Sequence, residues 1–213
     1  TQLVEAARHS KKRVQSYRGE LRGKLYLMAF LTGLRRRELA SLTPRNFKLE
    51  VDQPILTVEA AFSKHRRKDT LPLHPELVIL LKAWLPSLGP EDALFPGLAN
   101  KKTYTMVQKD LVEAGIPYET AEGLADFHAA GRHSHITALF KSGASITEAK
   151  ELARHTDVRM TMKYTHVGLE NQARALANLP APIRARIEPS QGRQDAANPA
   201  PQNGSCPAAL RTR

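Results

Sequence analysis

The run from Gly23 to Leu34, GKLYLMAFLTGL, constrains the fold more than any other segment. It is apolar on almost every side, so a helix over it has no face to give to water and must be buried. Thr32-Gly33 marks its end. A second short helix over Arg35 to Leu42 (RRRELASL) stops at Thr43-Pro44, because the residue before a proline is pushed out of helical conformation. The pattern then changes to strands. Ile55 to Phe62 (ILTVEAAF) and Thr70 to Leu73 (TLPL) read as a β-hairpin joined by the basic stretch Ser63 to Lys68.

Helical periodicity returns over Pro75 to Leu85, with Pro75 in the first turn. It recurs over Lys102 to Ala114, closed by Gly115 and Pro117. A further helix is expected from about Arg132 to Lys141, ending at Gly143. Ser145 and Glu148 form an S-x-x-E capping box for a helix that runs to about Arg154. Thr156 is the expected cap of a helix reaching Tyr164, and Leu169 to Leu179 gives a last short helix. The fold class is therefore mainly α with a small antiparallel β-sheet.

Composition shifts after Pro180. Six of the fourteen prolines fall from Pro180 onward, so residues 181–213 read as a disordered, basic, Pro-rich tail behind a domain over residues 1–180. Five Arg against Glu188 and Asp195 give that tail +3, which leaves +8 of the net +11 on the body. Such a charge suits a polyanion: DNA, RNA or an anionic membrane surface. No apolar run approaches the roughly 20 residues of a membrane span. The polar opening, Thr1 to Arg13, has no apolar core and is not a signal peptide. A single cysteine, Cys206, excludes an intrachain disulfide framework and a Cys-based zinc site, and fits a reducing cytoplasm. The chain opens with Thr rather than Met, as a fragment of a longer protein would.

Metal-free cleavage of a DNA backbone needs a defined set of groups. Two cations must neutralise the phosphate oxygens in the transition state, and arginine suits this because its planar fork stays charged. A nucleophile must attack phosphorus, and Lys or His must protonate the leaving oxygen. The sequence supplies candidates for every role, although spacing alone does not bring them together. Taken singly, each has a plain structural reading: Arg35 and Lys64 sit in basic runs, His155 lies near a helix end, and Tyr164 could be a packing residue.

Four segments in order change that reading. TGLRRRELASL (Thr32 to Leu42) resembles the first arginine motif of tyrosine recombinases and phage-type integrases. SKHRRKDTLPL (Ser63 to Leu73) stands where that family has its hairpin lysine, with Lys64 eight residues before Pro72. GRHSHITAL (Gly131 to Leu139) resembles the second arginine motif. ELARHTDVRMTMKYTHV (Glu151 to Val167) resembles the C-terminal motif, with His155 nine residues before Tyr164.

The resemblance implies a tyrosine recombinase catalytic-domain fold and a set of roles. Arg35 and Arg132 would clamp the scissile phosphate, and His155 would hydrogen-bond one of its oxygens. Lys64 would protonate the leaving 5′-oxygen. Tyr164 would attack and leave a 3′-phosphotyrosine. Glu38 would be a supporting acid near the site. The partner would be double-stranded DNA, the active form a homotetramer that exchanges C-terminal helices, and the place the nucleoid in the cytoplasm. No cofactor, metal or ATP is implied. A type IB topoisomerase and a non-cleaving DNA-binding remnant are the alternatives. The family's N-terminal DNA-clamping domain is expected to be absent, since only 31 residues precede the first motif.

One motif departs from the pattern. The family carries His-x-x-Arg, whereas FHAAGRHS puts His128 four residues before Arg132 and Ala129 in the histidine register. The small residues Ala129, Ala130 and Gly131 are expected to absorb the extra residue ahead of the helix. That would return His128 to the site, facing Arg35 and Tyr164.

Overall fold

The apolar run makes up most of α2 (Gly19–Thr32) in a computed structural model that describes residues 2–64, 66–120 and 123–165, together with 173, 176 and 177. Leu25, Met28 and Ala29 on this helix are buried, as the all-round apolar pattern requires. Residues Thr1–Val167 form one compact unit. It is mainly helical with small antiparallel sheets, the expected fold class. The expected last helix over Leu169 to Leu179 lies outside the described residues except for 173, 176 and 177, which are helical. The Pro-rich tail and Cys206 lie outside them entirely.

The opening residues, read from sequence only as polar, form α1 (Gln2–His9), which buries Val4 and Ala7. The signal was three-residue spacing of two small apolar side chains, too sparse for a periodicity reading. Helix α2 is also tied to α5 (Thr103–Glu113) by a fully buried ion pair. The Arg22 guanidinium donates to both Asp110 carboxylate oxygens at 2.8–3.2 Å and to the Lys12 and Tyr17 carbonyls. Tyr26 donates to the same carboxylate at 2.6 Å. Burial and the Asp110 charge raise the Tyr26 pKa, so this hydroxyl stays a donor.

Helix α3 (Arg36–Ala40) follows α2, and then a three-stranded antiparallel sheet in the order β1 (Phe47–Lys48), β2 (Ile55–Val58), β3 (Asp69–Pro72). Leu56 pairs with Leu71 and with Phe47, and these residues share the buried face. The first hairpin strand is shorter than expected. It stops at Val58, and the Glu59 carbonyl accepts from the Phe62 and Ser63 amides, turning the chain where the apolar letters AAF suggested strand. Phe62 is consequently exposed.

After α4 (Pro75–Trp84), α5 and a two-stranded β4 (Glu119–Thr120)–β5 (Gly123–Leu124) pair, the chain enters the second arginine motif. Here the structure corrects the sequence reading. Helix does not wait for Arg132: residues 127–128 are already helical, and Asp126 caps the turn by accepting from the Ala129 amide at 2.8 Å. The extra residue is taken up inside the helix by a π turn over Ala129–His133, in which the Ser134 amide reaches back five residues to the Ala129 carbonyl. Helix α6 (Ser134–Lys141) continues from it with Ile136 buried. Helix α7 (Ile146–Ala153) begins at the expected Ser145–Glu148 capping box. Helix α8 (Val158–Met162) is capped by Asp157 rather than Thr156.

Two glycines let the π turn and α6 lie against α2. A Cβ on Gly131 would stand 3.0 Å from that of Ala29. Gly33 closes α2 in the left-handed conformation, φ 60°, and a Cβ there would come within 2.6 Å of the His135 ring. That ring is held by a 2.8 Å hydrogen bond between Nδ1 and the Phe30 carbonyl. Gly33→Ala is therefore expected to destabilise the protein by about 2–5 kcal/mol. Holding alanine left-handed costs about 1–2 and overpacking about 1–3. Urea unfolding measures the loss, and a value under about 0.5 kcal/mol would mean that the approach of α6 to α2 is not tight.

Candidate active site

The turn that Gly33 makes after α2 sets Arg35 in an extended conformation at the start of α3, where helical amides need an acceptor. Glu38 reaches back and accepts from the Arg35 amide at 2.7 Å and from its guanidinium at 3.2 Å. Glu38 is buried, and its Oε2 also accepts from Arg154 Nη2 at 2.7 Å. Arg154 Nη1 lies 3.6 Å from Asp69 Oδ2, and Asp69 accepts from the Ser63 hydroxyl at 3.0 Å. A polar chain thus runs from the residue before Lys64, through Asp69, Arg154 and Glu38, to Arg35.

Arg132 leaves the π turn and is buried. Its Nη1 donates to the Gly33 carbonyl at 2.8 Å and its Nη2 to the Ala153 carbonyl. The arginine is thereby held between the ends of α2 and α7. Burial, then the charges of Arg35 and Arg154, lower its pKa to about 10. It stays cationic at neutral pH but is destabilised by its surroundings.

His155 follows Arg154, which ends α7 in the left-handed conformation at φ 53°. Its Nδ1 pairs with the Thr161 hydroxyl at 2.9 Å, which fixes the ring against α8. Burial and then the charges of Arg132, Arg35 and Arg154 push its pKa down to about 4, so the imidazole is neutral. Tyr164, just past α8, stacks on His155 with ring centroids 6.5 Å apart. Burial raises its pKa against the opposing charge of Arg132.

Arg35, Arg132, His155 and Tyr164 are thus brought together. Lys64 is not in contact with them. It lies exposed in the β2–β3 connection and has no hydrogen bond or ion pair among the described residues. His128 lines an open cleft of about 440 Å³ with Arg35, Arg36, Lys101, Lys102 and Arg132, while Ala129 lines a separate groove. His128 thus lines the same cleft as the arginines, and the side chain hydrogen-bonded to the Tyr164 hydroxyl is another one. His133 forms the hydrogen bond between Nδ1 and the Tyr164 hydroxyl, and His128 packs edge-on against His133 at 4.6 Å.

Sequence reasoning missed His133, Arg154, Asp69 and Thr161. Local signals were faint: His133 adjoins Arg132 and Arg154 adjoins His155, but what each touches depends on elements far apart in the chain. Among the described residues, no group of His, Cys, Asp or Glu is arranged to hold a metal ion, and no helix is long and apolar enough to cross a membrane.

This arrangement agrees with the similarity to known proteins. Residues 2–170 match the phage integrase family, and the chain belongs to it. Tyrosine recombinase XerD of Staphylococcus saprophyticus is 25% identical over 163 residues, which cover 71% of this chain and 51% of that protein. Tyrosine recombinase XerC of Bifidobacterium longum is 25% identical over 162 residues, covering 67% and 42%. The chain therefore spans about half the length of the curated relatives it matches. The fold is that of the catalytic domain of bacteriophage HP1 integrase, with TM-score 0.58, 20% identity, and 84% of this chain and 90% of that one covered. It is also that of XerH site-specific recombinase bound to difH substrate in a pre-cleavage complex, with TM-score 0.61, 21% identity, and 83% and 51% covered.

Removing Arg154 takes the buried cation from between Glu38 and Asp69 and leaves them only their partly exposed partners, Arg35 and Arg67. Arg154→Ala is expected to cost about 3–5 kcal/mol in urea unfolding, the usual penalty for breaking a buried pair from one side. A loss under about 1 kcal/mol would show that Arg154 is not the tie between the hairpin and α3.

Proposed function

We propose that this chain is the catalytic domain, over residues 1–180, of a site-specific DNA recombinase that cuts and rejoins strands through a covalent bond to Tyr164. The observation that carries this reading is the convergence of Arg35, Arg132 and neutral His155 on Tyr164 within one compact unit. Three arginine charges act on His155, and burial, followed by repulsion from Arg35 and Arg154, lowers the Arg132 pKa. A phosphodiester entering there relieves that repulsion, and its two non-bridging oxygens match the two arginine forks.

In this mechanism Arg35 and Arg132 hold the non-bridging oxygens. Thr161 donates to His155 Nδ1, leaving the proton on Nε2 for a phosphate oxygen. The Tyr164 oxygen bonds to phosphorus as the bond to the 5′-oxygen breaks. Lys64, carried to the cleft by the hairpin, protonates that oxygen, and a 3′-phosphotyrosine remains. The phosphotyrosine is itself a phosphodiester, so attack by a free 5′-hydroxyl reverses the step with no need for ATP or a metal. The partner is double-stranded DNA, met in the cytoplasm on the nucleoid, and the +8 body charge supplies the general attraction. Assembly is as a homotetramer exchanging C-terminal helices. The large groove bordered by Tyr26, Phe30, Leu111, Ile116 and Leu124 offers a seat for the apolar positions of Leu169 to Leu179 from a neighbour.

A pool of nicked duplexes with randomised sequence tests the reading. Loss of the short fragment beyond the nick traps the covalent complex. The wild-type chain should form SDS-resistant adducts, and sequencing the recovered DNA yields its preferred site. Tyr164→Phe should bind that recovered duplex about normally and form no adduct. Adducts from Tyr164→Phe would place the nucleophile elsewhere. None from the wild type would favour the non-cleaving remnant.

A further inference from the structure

We infer that His133, not His128, is the base that takes the Tyr164 proton when the tyrosine attacks phosphorus. The inference rests on the proposed cleavage reaction and names a catalytic group in it.

The geometry singles out one ring. Tyr164 Oη and His133 Nδ1 are hydrogen-bonded, with ring centroids 5.3 Å apart. His155 stacks on the tyrosine, but its Nδ1 is committed to Thr161. His128 makes no hydrogen bond to Tyr164 among the described residues and meets it only through the edge of His133. The π turn is the cause: it places His133 at the end of a widened turn, one position beyond Arg132, where its ring meets the Tyr164 hydroxyl.

The chemistry fits the position. A phenol held above its ordinary pKa by burial stays protonated at neutral pH and needs an acceptor. His133 is neutral there, since partial desolvation of its ring lowers its pKa. The charged and titratable groups around it are Asp126, Arg132, His128, His155 and Tyr164. Asp126 opposes the loss of basicity and would stabilise the imidazolium once formed, whereas Arg132 disfavours it. In the step the Oη–H bond breaks as Nδ1–H forms. Oη bonds to phosphorus, and the phosphorus–O5′ bond breaks with its proton coming from Lys64. On rejoining, the His133 imidazolium returns its proton to the departing Tyr164 oxygen. His133 is exposed, so it can exchange its proton with water between the two steps.

The test uses the full chain and the duplex recovered from the randomised pool. Adduct formation by the wild type should rise with pH through one ionisation near the histidine range and then level off. His133→Ala should bind the duplex normally, cleave about 10²–10⁴-fold more slowly and lose that ionisation. Added imidazole should restore part of the rate. His133→Gln, which keeps a hydrogen bond without basicity, should remain slow while melting like the wild type. His128→Ala should keep the wild-type pH profile. Cleavage by His133→Ala at the wild-type rate and profile, with adducts still on Tyr164, would overturn this inference and leave the recombinase reading standing. Loss of the ionisation in His128→Ala alone would overturn it equally. Absence of wild-type adducts would overturn both.

Discussion

The buried contact between Glu38 and Arg154 is the joint on which the site depends. Glu38 holds the Arg35 amide and guanidinium at one end of the chain's first motif, and Arg154 comes from the other end, 116 residues later. Arg154 continues to Asp69, and Asp69 fixes Ser63 beside Lys64. A carboxylate and a guanidinium out of water are stable only together. The pair therefore holds α3, the hairpin and the end of α7 in one register. His155 takes its place because Arg154, in a left-handed conformation, turns the chain from α7 towards α8.

Around this joint positive charge is left in excess. Glu38 and Asp69 answer Arg154 and part of Arg35, whereas Arg132 is met only by backbone carbonyls among the described residues. Its lowered pKa of about 10 and that of His155, about 4, have the same causes: burial and neighbouring guanidinium groups. A fold selected for stability alone would not keep these cations close. A site that accepts a phosphate has a use for them, because the anion converts mutual repulsion into attraction within a small, poorly hydrated volume.

The sequence revealed the frame of this arrangement and not its interior. Helix α2 was legible because apolar residues on every side leave one solution, and the Ser145–Glu148 box announced α7 by local chemistry alone. Arg35, Arg132, His155 and Tyr164 were legible because the four motifs occur in order. The strand end at Val58 was not, since AAF satisfies strand propensity and its turn depends on the Glu59 carbonyl. The π turn was also hidden. Local letters showed one surplus residue before Arg132, and only packing of Gly131 on Ala29 and of His135 under Gly33 decides where that residue is absorbed. His133 followed from that choice, and no spacing rule in a straight α-helix would have aimed it at Tyr164.

The central claim is that these cations are placed to receive one phosphate, and the ionisation of His155 reports on it directly. In the free protein its ring should titrate near pH 4. Saturating the Tyr164→Phe protein with uncleaved cognate duplex should raise that pKa to the ordinary histidine value of about 6.5 or above, because an anion beside the ring stabilises its protonated form. Binding would then take up a proton between those two values, and affinity would increase as pH falls through that window. Nuclear magnetic resonance of the His155 ring, read with and without the duplex, makes the measurement. A clear upward shift is the predicted result. A His155 pKa unchanged in the saturated complex would contradict the account, because the scissile phosphate would then lie somewhere other than among Arg35, Arg132 and His155.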